Sequence, residues 1–587
     1  MSAGQVAPPT SSRANDAAVV VSAFALALLV LSAGITRPFE KDAEPQSAEW
    51  IQNVVSDGNW LLPRSYYGRL ARKPPFFYWL AASVTKLTGG LVDETRARVV
   101  SLAAGAALAV VVLMWTRAAI GAGVGWLAFA FLLGSYGFAS RATLALTDML
   151  MSLSVVAAYC LMYPLLDDRG SSRRAAAVGA ILGLGILAKG PVAIILAASG
   201  AAIYLMLTRR NPTAYVRQRW PWIVLGVALA VAMTWYLPAA TQGGRGFLSL
   251  LFDENLGHFL PAGFGGTGEG RGRAIYHVVL SMLRGALPLS FLLPAVIAAA
   301  WTGELVPEAR RPLLYQASLV AAVAMLFTFA SVRRADYILP ALPGIAILCA
   351  CVFSLLAPKG ARSYGRTIRN LTCAGIAAVV IGVVLMAPLV FRASPSSLAD
   401  MNPSSTDELL LAIWTAGAAH LEVWFVIFAA ACLAGAAIVF AALRRRGELA
   451  LGAGVAILAL ALSLPLTAVI RPEISRLRTW KPFLAAIRVK IVDSPLYIVA
   501  RHNHEASFYY GAAVWPLIRD DGTLERPERL AFVIAPSKEI ERLPIDYRNR
   551  MRVVMKSDAI GGGGPPVLYE LAPAASSQLK PRGEAAK

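Results

Sequence analysis

Apolar residues run almost unbroken from about Ala17 to Ile35. That is close to the ~20 residues a helix needs to cross the hydrocarbon of a bilayer. The run does not end in a small-residue cleavage site but continues into Ile35-Thr36-Arg37-Pro38, so it reads as a retained helix rather than a signal peptide. Counted by the length a bilayer requires, about thirteen runs of this kind lie along the chain, this one included, centred near Leu26, Leu108, Ala128, Val156, Leu182, Ile195, Val227, Leu289, Val320, Ile347, Val379, Phe428 and Ile457. Between them lie short loops rich in Arg or Lys: Asp167–Arg174, Arg209–Arg219, Glu304–Arg311, Lys359–Arg369 and Arg444–Arg446. All five fall on one side if the N-terminus is there too, and the positive-inside rule makes that side cytoplasmic. An odd number of spans then sends the C-terminal segment outward, into the periplasm of a Gram-negative cell.

Three stretches break the pattern. Phe39–Leu80 combines acidic residues with aromatic ones, a Gly-Asn-Trp turn at Gly58–Trp60 and a basic-Pro-Pro-aromatic run at Arg72–Phe77. Helical periodicity over Ser47–Val55 and an amphipathic pattern over Pro74–Leu87 predict two helices at headgroup depth. Thr241–Arg273 is a second long outer loop whose Gly263–Arg273 tract lacks the context of a phosphate loop and reads as a flexible connector. After about Arg471 the pattern becomes that of a soluble fold. Strands are expected at Leu496–Ala500, Leu530–Ala535, Arg552–Met555 and Val567–Glu570, with helical pieces at Ser507–Ala512 and Lys538–Arg542.

The expectation is an all-α polytopic membrane protein with a small extracytoplasmic C-terminal α/β domain. Residues 1–16 form a polar tail, 17–470 the membrane domain with its first outer loop at 36–96, 471–572 the outer domain and 573–587 a second tail. Composition agrees: 57% hydrophobic and 15% charged residues exclude an ordinary soluble enzyme. The net charge of +20 does not indicate nucleic acid, because much of it sits in loops that meet anionic lipid. The five cysteines all fall within expected spans, without metal-site spacing, and read as packing residues.

Ionisable groups at membrane depth are costly and mark function. Asp148 stands at the outer end of the fourth span and Lys189 in a short outer turn. Glu254, Asn255 and His258 share one face of an outer helix. Arg333 and Arg334 are two guanidiniums on the side that is otherwise poor in cations, followed by Asp336 and Tyr337. Lys73 is brought to the same face by the topology. These cations suit a lipid phosphate, and Asp42, Glu44 and Asp148 suit a group in transfer: cations stabilise a departing phosphate and a carboxylate accepts a proton. The His502-x-His504 pair has no further ligands nearby in sequence and reads as ordinary surface histidines.

These motifs resemble the GT-C glycosyltransferases that use polyprenyl-phosphate sugars, above all the lipid A aminoarabinose transferases and the protein O-mannosyltransferases. The resemblance is carried by Ala43–Pro63, Arg72–Ala82, Thr147–Ser152, Ala188–Ala193, Glu254–Leu260 and Arg334–Pro343, in the family's order. It implies a GT-C fold, an undecaprenyl-phosphate sugar as donor, and a lipid or glycan acceptor at the outer face of the inner membrane. It implies an essential acidic residue from an Asp-Glu pair in the first outer loop. Counting back from Trp60 places Glu44 on the Glu and Ala43 on the Asp; Asp42 takes the Asp role if one residue is inserted. Asp148 matches the second acidic residue and Lys73 the lysine that contacts the lipid phosphate. Arg72 stands where many aminoarabinose transferases have a Glu proposed as a metal ligand, so no metal site is carried over and a divalent metal is left open. His258 stands where the family usually has Arg. Two other readings use the same cations: a transporter or flippase of a lipid-linked saccharide, and a GT-C homologue that has lost catalysis.

Overall fold

A computed structural model describes residues 13–39, 43–167, 171–255, 275–330, 333–356, 363–392, 424–491, 494–499, 502–519, 521–559 and 564–573. Asp42, His258 and the Gly263–Arg273 tract lie outside these residues, and of Asn255 only the backbone is described.

The chain is predominantly helical. Helix α1 (Arg13–Leu31) carries the first apolar run and begins inside the stretch expected as a polar tail. Its Asp16 meets Arg117, 3.5 Å away. The two helices expected in the outer segment are α2 (Ala43–Asp57) and α3 (Phe76–Leu87). Asp93 caps α4 (Glu94–Ala119) by accepting from Arg96 N at 2.7 Å, as the first turn of a helix requires. Helices α5 (Ala122–Gly134) and α6 (Tyr136–Ala142) meet at a 67° bend. They are followed by α7 (Asp148–Met162), α8 (Ser172–Lys189), α9 (Val192–Leu207), α10 (Pro212–Val216) and α11 (Arg219–Asn255). Beyond them are α12 (His277–Gly285), α13 (Leu293–Trp301), α14 (Pro307–Phe329), a 3-10 turn at Ala335–Ala341, α15 (Leu342–Cys351) and α16 (Tyr364–Arg392). Two further long helices span Trp424–Arg445 and Glu448–Pro465.

Each of the expected span centres falls within a helical segment. Among the described residues, however, only seven helices are long and apolar enough to cross a bilayer, or nine if each of two bent pairs counts as one span. The runs around Ala128 and Leu289 are the bent ones. Ser135 is extended between α5 and α6, and Pro288, which has no N–H to give a helix, lies in the 103° break between α12 and the helical run Leu289–Trp301.

Small residues bring the helices close. A Cβ at Gly183 of α8 would stand 2.6 Å from the Val231 Cβ of α11, and one at Gly179 would stand 2.6 Å from the Val224 carbonyl oxygen. All five cysteines are buried and free, as packing residues should be. Two of the basic loops touch, since Gly365 N donates to the Glu304 carboxylate at 3.2 Å, and Arg369 pairs with Glu448, two residues beyond a third.

The C-terminal segment forms a five-stranded sheet in the order β2-β1-β3-β5-β4. The strands are β1 (Leu496–Ile498), β2 (Trp515–Pro516), β3 (Ala531–Pro536), β4 (Met551–Lys556) and β5 (Pro566–Leu571). β1 pairs in parallel with β2 and β3, and β5 is antiparallel to β3 and β4. Ile534 of β3 packs with Leu484 and Ile487 of the helix Lys481–Lys490, while its neighbours Val533 and Ala535 pack with Leu543 and Tyr547 on the other face. Both faces are covered, which is why β3 reads as a continuous apolar run.

This sheet region is tied to the first outer segment by polar contacts. Tyr67 OH donates to Val514 O at 2.9 Å, Tyr509 OH to Glu94 Oε1 at 2.8 Å, and Lys481 Nζ meets Glu94 Oε1 at 2.7 Å. His504, expected at the surface, is buried, with its Nδ1 3.1 Å from Glu49 Oε2.

Candidate active site

Charged side chains from six separate parts of the chain converge on one cavity of about 370 Å3. Asp148 is the first residue of α7 and Lys189 the last of α8, so the antiparallel pair brings both ends together, and Lys189 Nζ donates to Asp148 Oδ1. An acid at a helix N-terminus and a base at a C-terminus are each favoured by the helix dipole. Gly190, at φ +89°, turns the chain straight into α9. The Lys189 ammonium also lies 4.8 Å from the Tyr337 ring centroid.

Lys73, Arg334 and Glu254 line the same cavity. Lys73 comes from the outer segment before α3. Burial, and then the neighbouring Lys189, hold its ammonium pKa below the ordinary lysine range. Glu254 arrives from the end of α11, beyond a break at Gly244 with φ +62°. Phe327, Val192 and Ile195 add an apolar wall.

Two expected residues stand elsewhere. Glu44 is fully buried and does not line the cavity: Arg98 grips its carboxylate at 2.9 and 3.1 Å, and Ala145 N donates to it at 2.9 Å. One step along a helix rotates a side chain by ~100°, so Ala43 of α2 faces the cavity and Glu44 turns away. Burial alone would raise the Glu44 pKa, but Arg98 outweighs it and holds the carboxyl below its ordinary range. Arg98 also donates to the carbonyls of Ile35 at 2.8 Å and Pro38 at 3.1 Å, and to that of Arg37. Arg333 likewise leaves the cavity to Arg334: its Nε donates to Thr328 O at 3.0 Å. The backbone is extended at Arg334, and successive side chains of extended chain point opposite ways.

Arg141 is a lining residue that the sequence reading did not single out. Its Nε meets Asp336 Oδ1 at 3.0 Å and its Nη2 donates to Ala335 O at 3.1 Å. The signal was present, since a lone guanidinium in the apolar stretch before Asp148 is costly unless paired. A Cβ at Gly137, one helical turn earlier, would stand 2.5 Å from the Gly285 Cα, so that contact seats α6 directly against α12. Among the described residues, no three His, Cys, Asp or Glu side chains are grouped to hold a metal ion, the His502/His504 pair included.

The fold is the GT-C fold that the sequence motifs implied. The solved structure of ArnT from Cupriavidus metallidurans in the apo state superposes with a TM-score of 0.71, covering 95% of this chain and 98% of that one at 20% identity. The same protein bound to undecaprenyl phosphate gives 0.69, with 94% and 98% covered. Residues 72–237 match the family model of the dolichyl-phosphate-mannose-protein mannosyltransferases. Curated relatives are named undecaprenyl phosphate-alpha-4-amino-4-deoxy-L-arabinose arabinosyl transferase. That of Shewanella sediminis is 25% identical over 57% of this chain and 59% of its own length. That of Pseudomonas savastanoi pv. phaseolicola is 25% identical over 58% and 61%. The aligned part thus spans about six tenths of these relatives.

Proposed function

We propose that this protein is an inner-membrane glycosyltransferase. It moves a sugar from an undecaprenyl-phosphate donor to a lipid of the lipid A kind, or another envelope acceptor, on the periplasmic face, with inversion at the transferred carbon. The observation that carries this reading is the cavity itself. It joins a carboxylate–ammonium pair (Asp148 and Lys189) to Lys73 and Arg334 beside an apolar wall, all at chain positions that the loop charges assign to one membrane face. The names of the curated relatives support the donor, and the undecaprenyl phosphate in the related ArnT structure supports its lipid carrier.

In this reaction the bond between the sugar carbon and the phosphate oxygen breaks, and an acceptor oxygen forms the new bond from the opposite side. Lys73 and Arg334 receive the charge of the departing polyprenyl phosphate, with Lys189 and Tyr337 beside them. Asp148 keeps Lys189 charged and oriented. Asp42, next in sequence to the cavity-lining Ala43, is the carboxylate that deprotonates a hydroxyl acceptor. If the acceptor is itself a phosphate, no base is needed and the same carboxylate orients the sugar. Glu254, with Asn255 and His258 just beyond it, contacts the sugar or the acceptor. We read 17–470 as the membrane unit of about thirteen spans, with a cytoplasmic N-terminus, and 471–572 as a periplasmic unit.

The test is transfer by the purified full-length protein from undecaprenyl-phosphate aminoarabinose to lipid A, read by product mass and release of undecaprenyl phosphate. Movement of the intact lipid-linked sugar between leaflets, with no bond broken, would replace this reading with a flippase.

A further inference from the structure

A second cavity, of about 410 Å3, lies beside the segment that leads into α2. Gly34, Thr36 and Arg37 line it from the end of the first apolar run, and Val469, Glu473 and Arg476 from the chain that follows the helix Glu448–Pro465. Two apolar segments therefore give way to polar ones at this level. In a membrane-spanning chain that is the depth of the lipid headgroups.

The cavity has a rigid cationic wall. Arg37 is only 3% exposed. Its Nη1 donates to Gly34 O at 2.8 Å and to Thr143 Oγ1 at 2.9 Å, and its Nη2 to Thr143 O at 2.8 Å. Arg476, which lines the same cavity, is exposed, and its guanidinium rests on Glu473 at 2.6 and 3.0 Å. Two guanidiniums with one carboxylate leave the lining net positive, which suits a phosphate.

We propose that this cavity binds the phosphate of a membrane lipid headgroup, at a site separate from the Asp148–Lys189 cavity. The lipid is either the acceptor of the transfer reaction or a bulk phospholipid. Its position has a consequence for the first site. Arg37 and its neighbours Ile35 and Pro38 supply the carbonyls that Arg98 holds, and Thr143 lies five residues before Asp148. Only the acceptor alternative rests on the glycosyltransferase reading.

The experiment is native mass spectrometry of the full-length protein in detergent, titrated with dioleoyl phosphatidylglycerol or with uncharged dioleoylglycerol. The wild type should retain one phosphatidylglycerol in preference to the neutral lipid. The exposed-site variant Arg476→Glu should lose about tenfold of that retention, and Val469→Trp, which fills the cavity without changing its charge, should lose it as well. Equal retention by wild type and both variants overturns the proposal. Transfer kinetics then separate the two sources. A raised acceptor KM with an unchanged donor KM in Arg476→Glu identifies the acceptor. Loss of activation by added phosphatidylglycerol, with both KM values unchanged, identifies a bulk phospholipid. If the wild type transfers no sugar at all, the proposed function fails while the retention measurement still decides the lipid site.

Discussion

Lys189 ends α8 with its ammonium on the carboxylate that begins α7, Asp148, so two charged side chains of that helix pair, both lining the cavity, hold each other in place. Neutralising the acid leaves a buried ammonium without its counter-charge in the cavity. Asp148→Asn should keep its fold but lose about 100-fold or more in kcat, the scale found when one preorganised charge is removed. Turnover assays on protein of unchanged elution volume check this; wild-type rates would remove Asp148 from the proposed chemistry.

Lys73 loses its proton at a lower pH than an ordinary lysine, because it is desolvated and faces Lys189. A cation that titrates early stops attracting phosphate early. Affinity for undecaprenyl phosphate should therefore begin to fall at a pH below the ordinary lysine value of about 10.4, and Lys73→Ala should be weaker at neutral pH and lose this pH dependence. The loss at neutral pH should be about 10- to 100-fold in Kd, the worth of one charged hydrogen bond. Equilibrium binding across pH reads both effects.

Glu44 belongs to a buried pair with Arg98, and breaking such a pair from one side is costly. Arg98→Met should destabilise the protein by about 3–5 kcal/mol, and Glu44→Gln less, since the amide still accepts from Ala145 N. The sign of the pH effect follows from the lowered pKa. The stabilising contribution is fully present above the unfolded value of 4.5 and disappears as the pH falls through the lower folded value. Acid unfolding monitored by near-UV dichroism should begin at higher pH, and be less steep, in Glu44→Gln.

Gly183 is the point where α8 and α11 meet, with no room for a side chain. Gly183→Val should force the helices apart at a cost of about 1–3 kcal/mol, the usual cost of overpacking. Because the same helices deliver Lys189 and Glu254, the variant should lose activity beyond what its lower thermal midpoint explains.

Much of the fold is legible in the pattern of apolar runs. The helices of the first outer segment and the strands β1, β3, β4 and β5 appear close to where periodicity places them, because local propensity and burial agree there. The two-residue strand β2 was not legible, since two residues carry no periodicity. The bent spans were not legible either, because a run's length records hydrophobicity and not the break inside it.

For the cavity, sequence alone singled out Asp148, Lys189, Lys73 and Arg334, because a charge beside an apolar run is costly. Tertiary structure alone decided which of two neighbours faces the cavity. Ala43 or Glu44, and Arg333 or Arg334, differ by one residue in sequence but by a rotation about the backbone in space. Arg98 and Arg141 show the same limit. Each charge was visible, but its partner lies 54 residues away for Arg98–Glu44 and 195 for Arg141–Asp336, a pairing that only helix packing creates.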